Sequence, residues 1–196
     1  MDVGVRFLAV TADQQGELIK IVDGVNALDG ALRALRRANR RLARTKPGST
    51  GRRRAVARLH RLHARVANLR REALHQLTRW AATQLTELTI EDLNVAGMLS
   101  NHRLARRLAD AGLAELRRQL TYKARWYGLT LHEADRWYPS SKTCSVCGHL
   151  HRDLTLGDAT WRCPTCNTMH DRDHNAAVNL ARWPQHPLPP PARAAA

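Results

Sequence analysis

The feature that most limits what this chain can become is a pair of C-x-x-C knuckles. Cys144-Ser-Val-Cys147 and Cys163-Pro-Thr-Cys166 stand fifteen residues apart, and the second runs on as CPTCNTMHDRDHNAAVNLA. All four cysteines of the chain belong to this element. A disulfide framework would scatter them and would need an oxidising compartment. Two knuckles at this spacing instead place two sulfurs each on one tetrahedral zinc ion. Four thiolates close that shell and leave no position for water, so the ion is structural and any chemistry lies elsewhere. His149, His151 and His170 are then read as surface or phosphate-contacting residues rather than ligands. The linking segment HLHRDLTLGDATWR reads as a short hairpin turning at Gly157-Asp158.

The rest of the chain is ordered around this module. DVGVRFLAVTADQQGELIKIV reads as two strands, with Val3, Val5, Phe7, Leu8, Ala9 and Val10 on the first. Leu18, Ile19, Ile21 and Val22 lie on the second, after a turn over residues 12–16. The period then becomes helical, with Leu28, Leu32, Leu35 and Leu42 in one segment. Leu59, Leu62, Val66, Leu69 and Ala73 form a three-four seam in the next, which begins near Arg52. TKPGSTG joins the two as a loop, making a helical hairpin over about 28–85. TELTIEDLNV is a strand ending in acids, a helix is expected from about His102 to Tyr127 with Leu104, Leu108, Leu116 and Leu120 on one stripe, and LTLHEA is a further strand. A last helix covers about Asn175 to Arg182, and the proline-rich tail 184–196 reads as disordered. Strands and helices in this order predict an α/β fold around a mixed sheet.

Charge narrows the partner. The 32 Lys+Arg against 17 Asp+Glu leave a net charge of +15, which points to a polyanion, nucleic acid by default. A basic membrane-surface protein fits less well, because the basic segments alternate with core-type leucines. No apolar run is long enough to cross a bilayer, and MDVGVRFLAV lacks the basic start of a secretory signal, so the cytoplasm is expected. The hairpin carries arginines of one sign, among them Arg36, Arg40, Arg44, Arg52, Arg53, Arg54 and Arg58, with no acid between Asp29 and Glu72. Ordinary solvated helix faces mix signs, whereas a one-sign track suits phosphates.

Three acids remain to be explained. Asp2 opens the first strand, Glu91 or Asp92 ends a central-type strand, and Asp171 or Asp173 precedes the last helix. Singly these are a terminal acid, a strand end and a helix N-cap. Together they can converge on one sheet edge, where like charges are unfavourable without hard cations such as Mg²⁺ or Mn²⁺. Two such ions drive hydrolysis of a phosphodiester.

The stretches DVGVRFLAV, IEDLNVAGMLSNHRLARRLADAGLAELRRQLTYKARWYG, WYPSSKTCSVCG and CPTCNTMHDRDHNAAVNLAR resemble the TnpB-type (OrfB zinc-ribbon) transposases of small bacterial insertion sequences. That family is related to compact CRISPR effector nucleases, and the resemblance runs from residue 2 to about 182. It implies an RNase H-like (RuvC) nuclease domain over 1–137, a zinc ribbon inserted at 138–170 and a final RuvC helix at 171–183. It also implies that the family's three catalytic, metal-holding acids fall on Asp2, Glu91 and Asp173, with DNA as substrate and a guide RNA as partner in intact relatives. The second knuckle would then fix where the third carboxylate points.

Relatives carry a large segment before the first acid, which handles the guide and the target duplex, whereas this sequence starts one residue before that acid. A decayed element and a misassigned start both fit, and guided cleavage is expected to be weak or absent. The Met1 α-amino group, with an ordinary pKa of about 7.7–8.0, is expected to place a cation beside Asp2 and weaken metal binding. The alternative to a nuclease is a non-catalytic nucleic-acid-binding zinc-ribbon protein. A ribosomal-type protein would explain charge and ribbon but not the ordered acids.

Overall fold

A computed structural model describes residues 1–24, 26–100, 105–155 and 157–184. Residues 185–196 of the proline-rich tail, His102 and Leu104 lie outside the described residues. Strands β1 (Phe7–Ala12) and β2 (Leu18–Asp23) form an antiparallel hairpin. Its turn is set by Asp13, whose carboxylate accepts the amides of Gly16 (2.9 Å) and Glu17 (2.8 Å), and by Gly16 at φ +101°.

The first strand differs from the expected one. The chain bends at Val5 and Arg6, so Asp2 does not precede Phe7 on one extended run. It lies across from Val10, exchanging two 2.9 Å backbone bonds with it. The Met1 nitrogen donates to Thr89 O at 2.8 Å. Residues 1–3 therefore bridge β1 to strand β3 (Glu87–Glu91), which pairs in parallel with β4 (Thr130–Ala134) from Glu87↔Thr130 to Glu91↔Ala134. The regular ladders are separate and two-stranded rather than the single mixed sheet expected, and the Asp2–Val10 bridge and the Met1–Thr89 bond link β1–β2 and β3–β4 into one row. Parallel β3 and β4 bring Glu91 and Ala134 to the same end of that row.

Helices α1 (Ala27–Ala43) and α2 (Thr50–Gln84) form the predicted hairpin. The start of α2 is capped by Ser49, whose Oγ accepts the Arg52 amide at 3.1 Å. Ser49→Ala is expected to cost about 1 kcal/mol, read as a lower urea midpoint with unchanged slope. The seam is only partly buried: Val66 is enclosed, whereas Leu69 is 46% exposed. The base of the hairpin is pinned by buried Asp110. Its carboxylate accepts the Leu28 amide and ion-pairs with Arg70 at 2.6 Å, supplying from another helix the N-cap that Asn26 does not give.

The expected helix over 102–127 is broken among the described residues into α4 (Ala105–Ala111) and α5 (Leu113–Tyr127) by Gly112 at φ +63°. A side chain there would also come within 3.2 Å of Leu74 Cδ1, so glycine suits both the backbone and the close approach of α2. A short helix α3 (Val95–Leu99) occupies what reads as a turn in the sequence, capped by Asn94 through the Gly97 amide. The main core joins Leu74, Leu77 and Ala81 of α2 to Leu116, Leu120 and Ala124 of α5, beneath Leu88 and Ile90 of β3 and Leu8 of β1. A second small cluster packs Val10 and Ala12 against Ala177 and Val178 of α6 (Arg172–Arg182). That contact sets the start of α6 beside the row of strands.

Candidate active site and zinc centre

The four cysteines come together. Their Sγ atoms all lie within 4.8 Å of one another, with Cys144–Cys166 and Cys147–Cys163 both at 3.6 Å. Zinc–sulfur bonds of about 2.3 Å in a tetrahedron put sulfurs about 3.8 Å apart, so the donor set and its spacing suit a structural zinc. Each knuckle sits in its own hairpin. Thr143 and Leu150 bridge across the first, and β5 (Thr160–Arg162) pairs with β6 (Met169–Asp171) across the second. The hairpin expected within the linking segment is therefore absent among the described residues: Trp161 is used to flank the second knuckle, and its partner is His170.

His170 is not a surface residue either. It is buried, its ring lies 4.7 Å from that of Trp161, and its Nε2 is 3.1 Å from Cys144 Sγ. An Nε2–H donor there would orient and stabilise a metal-bound thiolate. Without metal the thiols are unequal: burial pushes Cys144 up to about 12, while the Thr168 hydroxyl and amide hold Cys166 down to about 6.

β6 ends where α6 begins, so the second knuckle delivers its chain directly to Asp171 and Asp173. The two acids take different work. Asp171 is the N-cap, accepting the amides of Asp173 (3.0 Å) and His174 (3.1 Å), and it pairs with Arg6 at 2.8 Å. Burial opposes its ionisation, but Arg6 and those amides outweigh burial and hold it below the usual carboxylate range. Asp173 shifts the other way. Burial raises its pKa, Arg6 at 3.3 Å opposes the shift, and the Asp171 charge reinforces it.

The strand-end pair divides in the same manner. Asp92 is held low by Arg117 at 2.6 Å and Arg136 at 2.7 Å. Glu91 instead accepts the Ser140 hydroxyl, and its charge is felt at Asp2. Asp2 is pushed up to about 8, first by burial and then by Glu91 and Asp173. Asp2 thus feels the charges of both Glu91 at the end of β3 and Asp173 at the start of α6. Among the described residues these three acids do not form a tight donor group as the thiolates do; Glu91 is bonded to Ser140, and Asp173 is paired with Arg6. Burial also lowers the Met1 amino group to about 6, so at neutral pH it is mostly uncharged rather than the cation expected beside Asp2.

Several of these supports escaped the sequence reading. Arg6, Ser140 and the pair Asn175 and Asn179 were passed over. The two asparagines, four apart on α6, donate to Thr143 O at 2.8 and 2.7 Å and fasten the helix to the first knuckle. Their i, i+4 spacing beside the DRD run was the available signal. The seven arginines of the expected track stay on the hairpin, away from the acids. Arg40 and Arg44 line an open groove with Arg37 and Arg41, and Arg52 and Arg53 line another with His60. Arg36, Arg54 and Arg58 are exposed, and among the described residues none of the seven makes an ion pair. No helix among the described residues is long and apolar enough to cross a membrane.

An α/β domain with a four-cysteine cluster suited to zinc and a basic helical hairpin is the class these features define. Residues 1–102 match the family described as "Probable transposase" (OrfB of IS605), and residues 114–180 match the Cas12f1-like TNB domain. The chain belongs to the TnpB/OrfB transposase family. It is 45% identical, over 95% of its length, to a Mycobacterium tuberculosis (strain H37Rv) protein named as a candidate RNA-guided DNA endonuclease, of which it covers 42%. It is 29% identical to the similarly named InsQ of Escherichia coli K12, over 92% of this chain and 47% of that one. The chain thus spans less than half the length of the curated relatives it matches. Among solved structures, Cas12f1 in complex with sgRNA and target DNA superposes with a TM-score of 0.60 at 21% identity, covering 91% of this chain and 48% of that one. That likeness is one of fold.

Proposed function

We propose that this chain is the RNase H-like (RuvC) part of a divalent-metal-dependent DNA endonuclease, guided by RNA when part of a full-length TnpB-type protein. The observation that carries the reading is that Asp2 feels both Glu91 and Asp173, carboxylates from two other segments, and is raised to about 8. A cluster that opposes its own ionisation suits a site completed by cations. The three carboxylates would hold Mg²⁺ or Mn²⁺, which supply water activation and stabilisation of the leaving oxygen when bound. The neighbouring acids have other duties: Asp92 anchors Arg117 and Arg136, and Asp171 caps α6. Ser140 orients Glu91, and Arg6 steadies the start of α6 from β1's leading bend. The hairpin arginines supply the backbone-neutralising surface for nucleic acid.

A second reading has its own support. Arg6 already pairs with Asp173, so a chain that keeps this contact would bind nucleic acid through zinc ribbon and arginines without cutting it. The test is nicking of supercoiled plasmid by zinc-loaded protein with Mg²⁺ or Mn²⁺, against Glu91→Ala, with DNA affinity measured in parallel. Nicking that disappears in Glu91→Ala at unchanged affinity supports the enzyme. Binding without nicking in the parent supports the second reading.

A further inference from the structure

The most exposed tryptophans of the described residues are Trp126, 74% exposed, and Trp137, 71% exposed. They sit at opposite ends of β4. Trp126 belongs to the last turn of α5, before β4 begins. Trp137 follows β4, at the end of the row where Glu91 lies.

Leaving an indole in water forgoes one of the largest hydrophobic gains a side chain can make. The backbone around Trp137 is nevertheless well fixed. The Trp137 amide donates to Asp135 Oδ1 at 2.8 Å, and the Tyr138 amide donates to Asp135 O at 3.0 Å. The Ser140 amide donates to Tyr138 O at 2.8 Å. Tyr138 turns inward, its ring 4.6 Å from Trp183 and its hydroxyl donating to Asn179 O. Ser140 turns inward to Glu91, and Asn179 donates to Ser140 O at 2.7 Å. A segment whose inward residues hold the carboxylate and α6 thus presents its one indole to solvent. Cationic residues are near it in sequence: Arg136, directly before it, is bound to Asp92, and Lys142 follows in the same loop, donating to Arg152 O.

We infer that Trp137 is a stacking platform for an unpaired base of a single DNA strand laid across the carboxylate cluster. This rests on the nuclease reading for where the strand runs. A pre-positioned aromatic face beside cations is the arrangement that binds single strands with little sequence preference, since every base offers a π-face. In duplex DNA the faces are covered by stacked neighbours, so Trp137 discriminates single strands from duplex. The equally exposed Trp126 lacks the adjoining acids and serves as an internal control.

The probe is a fluorescein-labelled oligo-dT 15-mer and a 15-base-pair duplex, titrated with the zinc-loaded chain without added Mg²⁺, so that binding is read independently of cleavage. Trp137→Ala is expected to weaken single-strand affinity on the order of tenfold, with duplex affinity within twofold. Trp126→Ala should leave both within twofold, and Trp137→Phe should recover most of the loss. Intrinsic fluorescence quenching by oligo-dT should persist in Trp126→Phe and fall in Trp137→Phe. Parallel loss of single-strand and duplex affinity in Trp137→Ala overturns the inference, as does single-strand affinity that stays within twofold. So does an equal effect of Trp126→Ala. If Trp137→Ala fails to fold, Trp137→Phe and the quenching comparison decide. The Glu91→Ala nicking assay addresses the nuclease reading separately, because stacking can hold in a protein that does not cut.

Discussion

Cys163→Ser is expected to abolish zinc binding and to unfold the segment from Tyr138 to Asp171 while leaving the larger core standing. The small cluster under the ribbon consists of Cys144, Leu154, Trp161 and Cys163, with Cys166 packed against it. So few buried side chains cannot offset the chain entropy of some thirty residues. Structural zinc sites contribute on the order of 10–16 kcal/mol of apparent binding energy in small metal-folded modules, and an ion held by the four cysteines would supply what this core lacks. The main core of α2, α5 and β3 shares no residue with that cluster. Zinc content should drop from one equivalent per chain to none. Hydrogen exchange should accelerate in 138–171 but not around Leu77 or Leu120. Because β6 leads straight into α6, the variant should also lose any thermal stabilisation by Mg²⁺. Protection retained throughout 138–171 in a zinc-free variant would contradict this account.

The second large effect concerns Asp2. A carboxyl whose folded pKa lies near 8, against an ordinary 3.8, gives stability that is fully present below about pH 4 and lost as pH rises through 8. The unfolded state has then released a proton that the folded state retains or yields only at a cost. Asp2→Asn removes that cost. In metal-free buffer, with zinc in place, the variant should melt higher than the parent, with the gap widening from pH 6 to pH 8. A difference of ~2–3 kcal/mol would move the midpoint by about 4–12 °C in a chain of this size. Mg²⁺ or Mn²⁺ should narrow the gap by stabilising the parent alone. Equal midpoints at pH 8, or equal response to metal, would remove the electrostatic cluster from the account.

Much of this organisation could be read in the residues. The knuckles announce themselves because zinc coordination fixes both residue type and spacing, and the helical hairpin follows from an uninterrupted leucine period. The bend at Val5–Arg6 was hard to read: Gly4 and Arg6 are the only breaks in an otherwise apolar stretch from Val3 to Val10, and a lone glycine and a lone charge also occur within a strand. Gly112 sits inside an apolar period that reads as one helix; its positive φ and the approach of Leu74, both set by packing on α2, are what divide α4 from α5. The choice between Glu91 and Asp92 cannot be made from spacing, because one step along a strand reverses the face and what occupies each face is set by distant Arg117, Arg136 and Ser140. His170 failed for a similar reason: a histidine beside cysteines reads as a ligand or a surface group, and its place behind Cys144 depends on Trp161.

The 35-residue α2 is about 52 Å long at 1.5 Å per residue. Its far end packs against α1, while its near end is buried beside β3 and passes to Glu87 within three residues. Such a rod behaves as a lever whose fulcrum is the packed stretch from Leu74 to Ala82. A load applied to the arginine-bearing tip is therefore delivered mechanically to the strand that ends in Glu91, with Asp110 as the hinge pin.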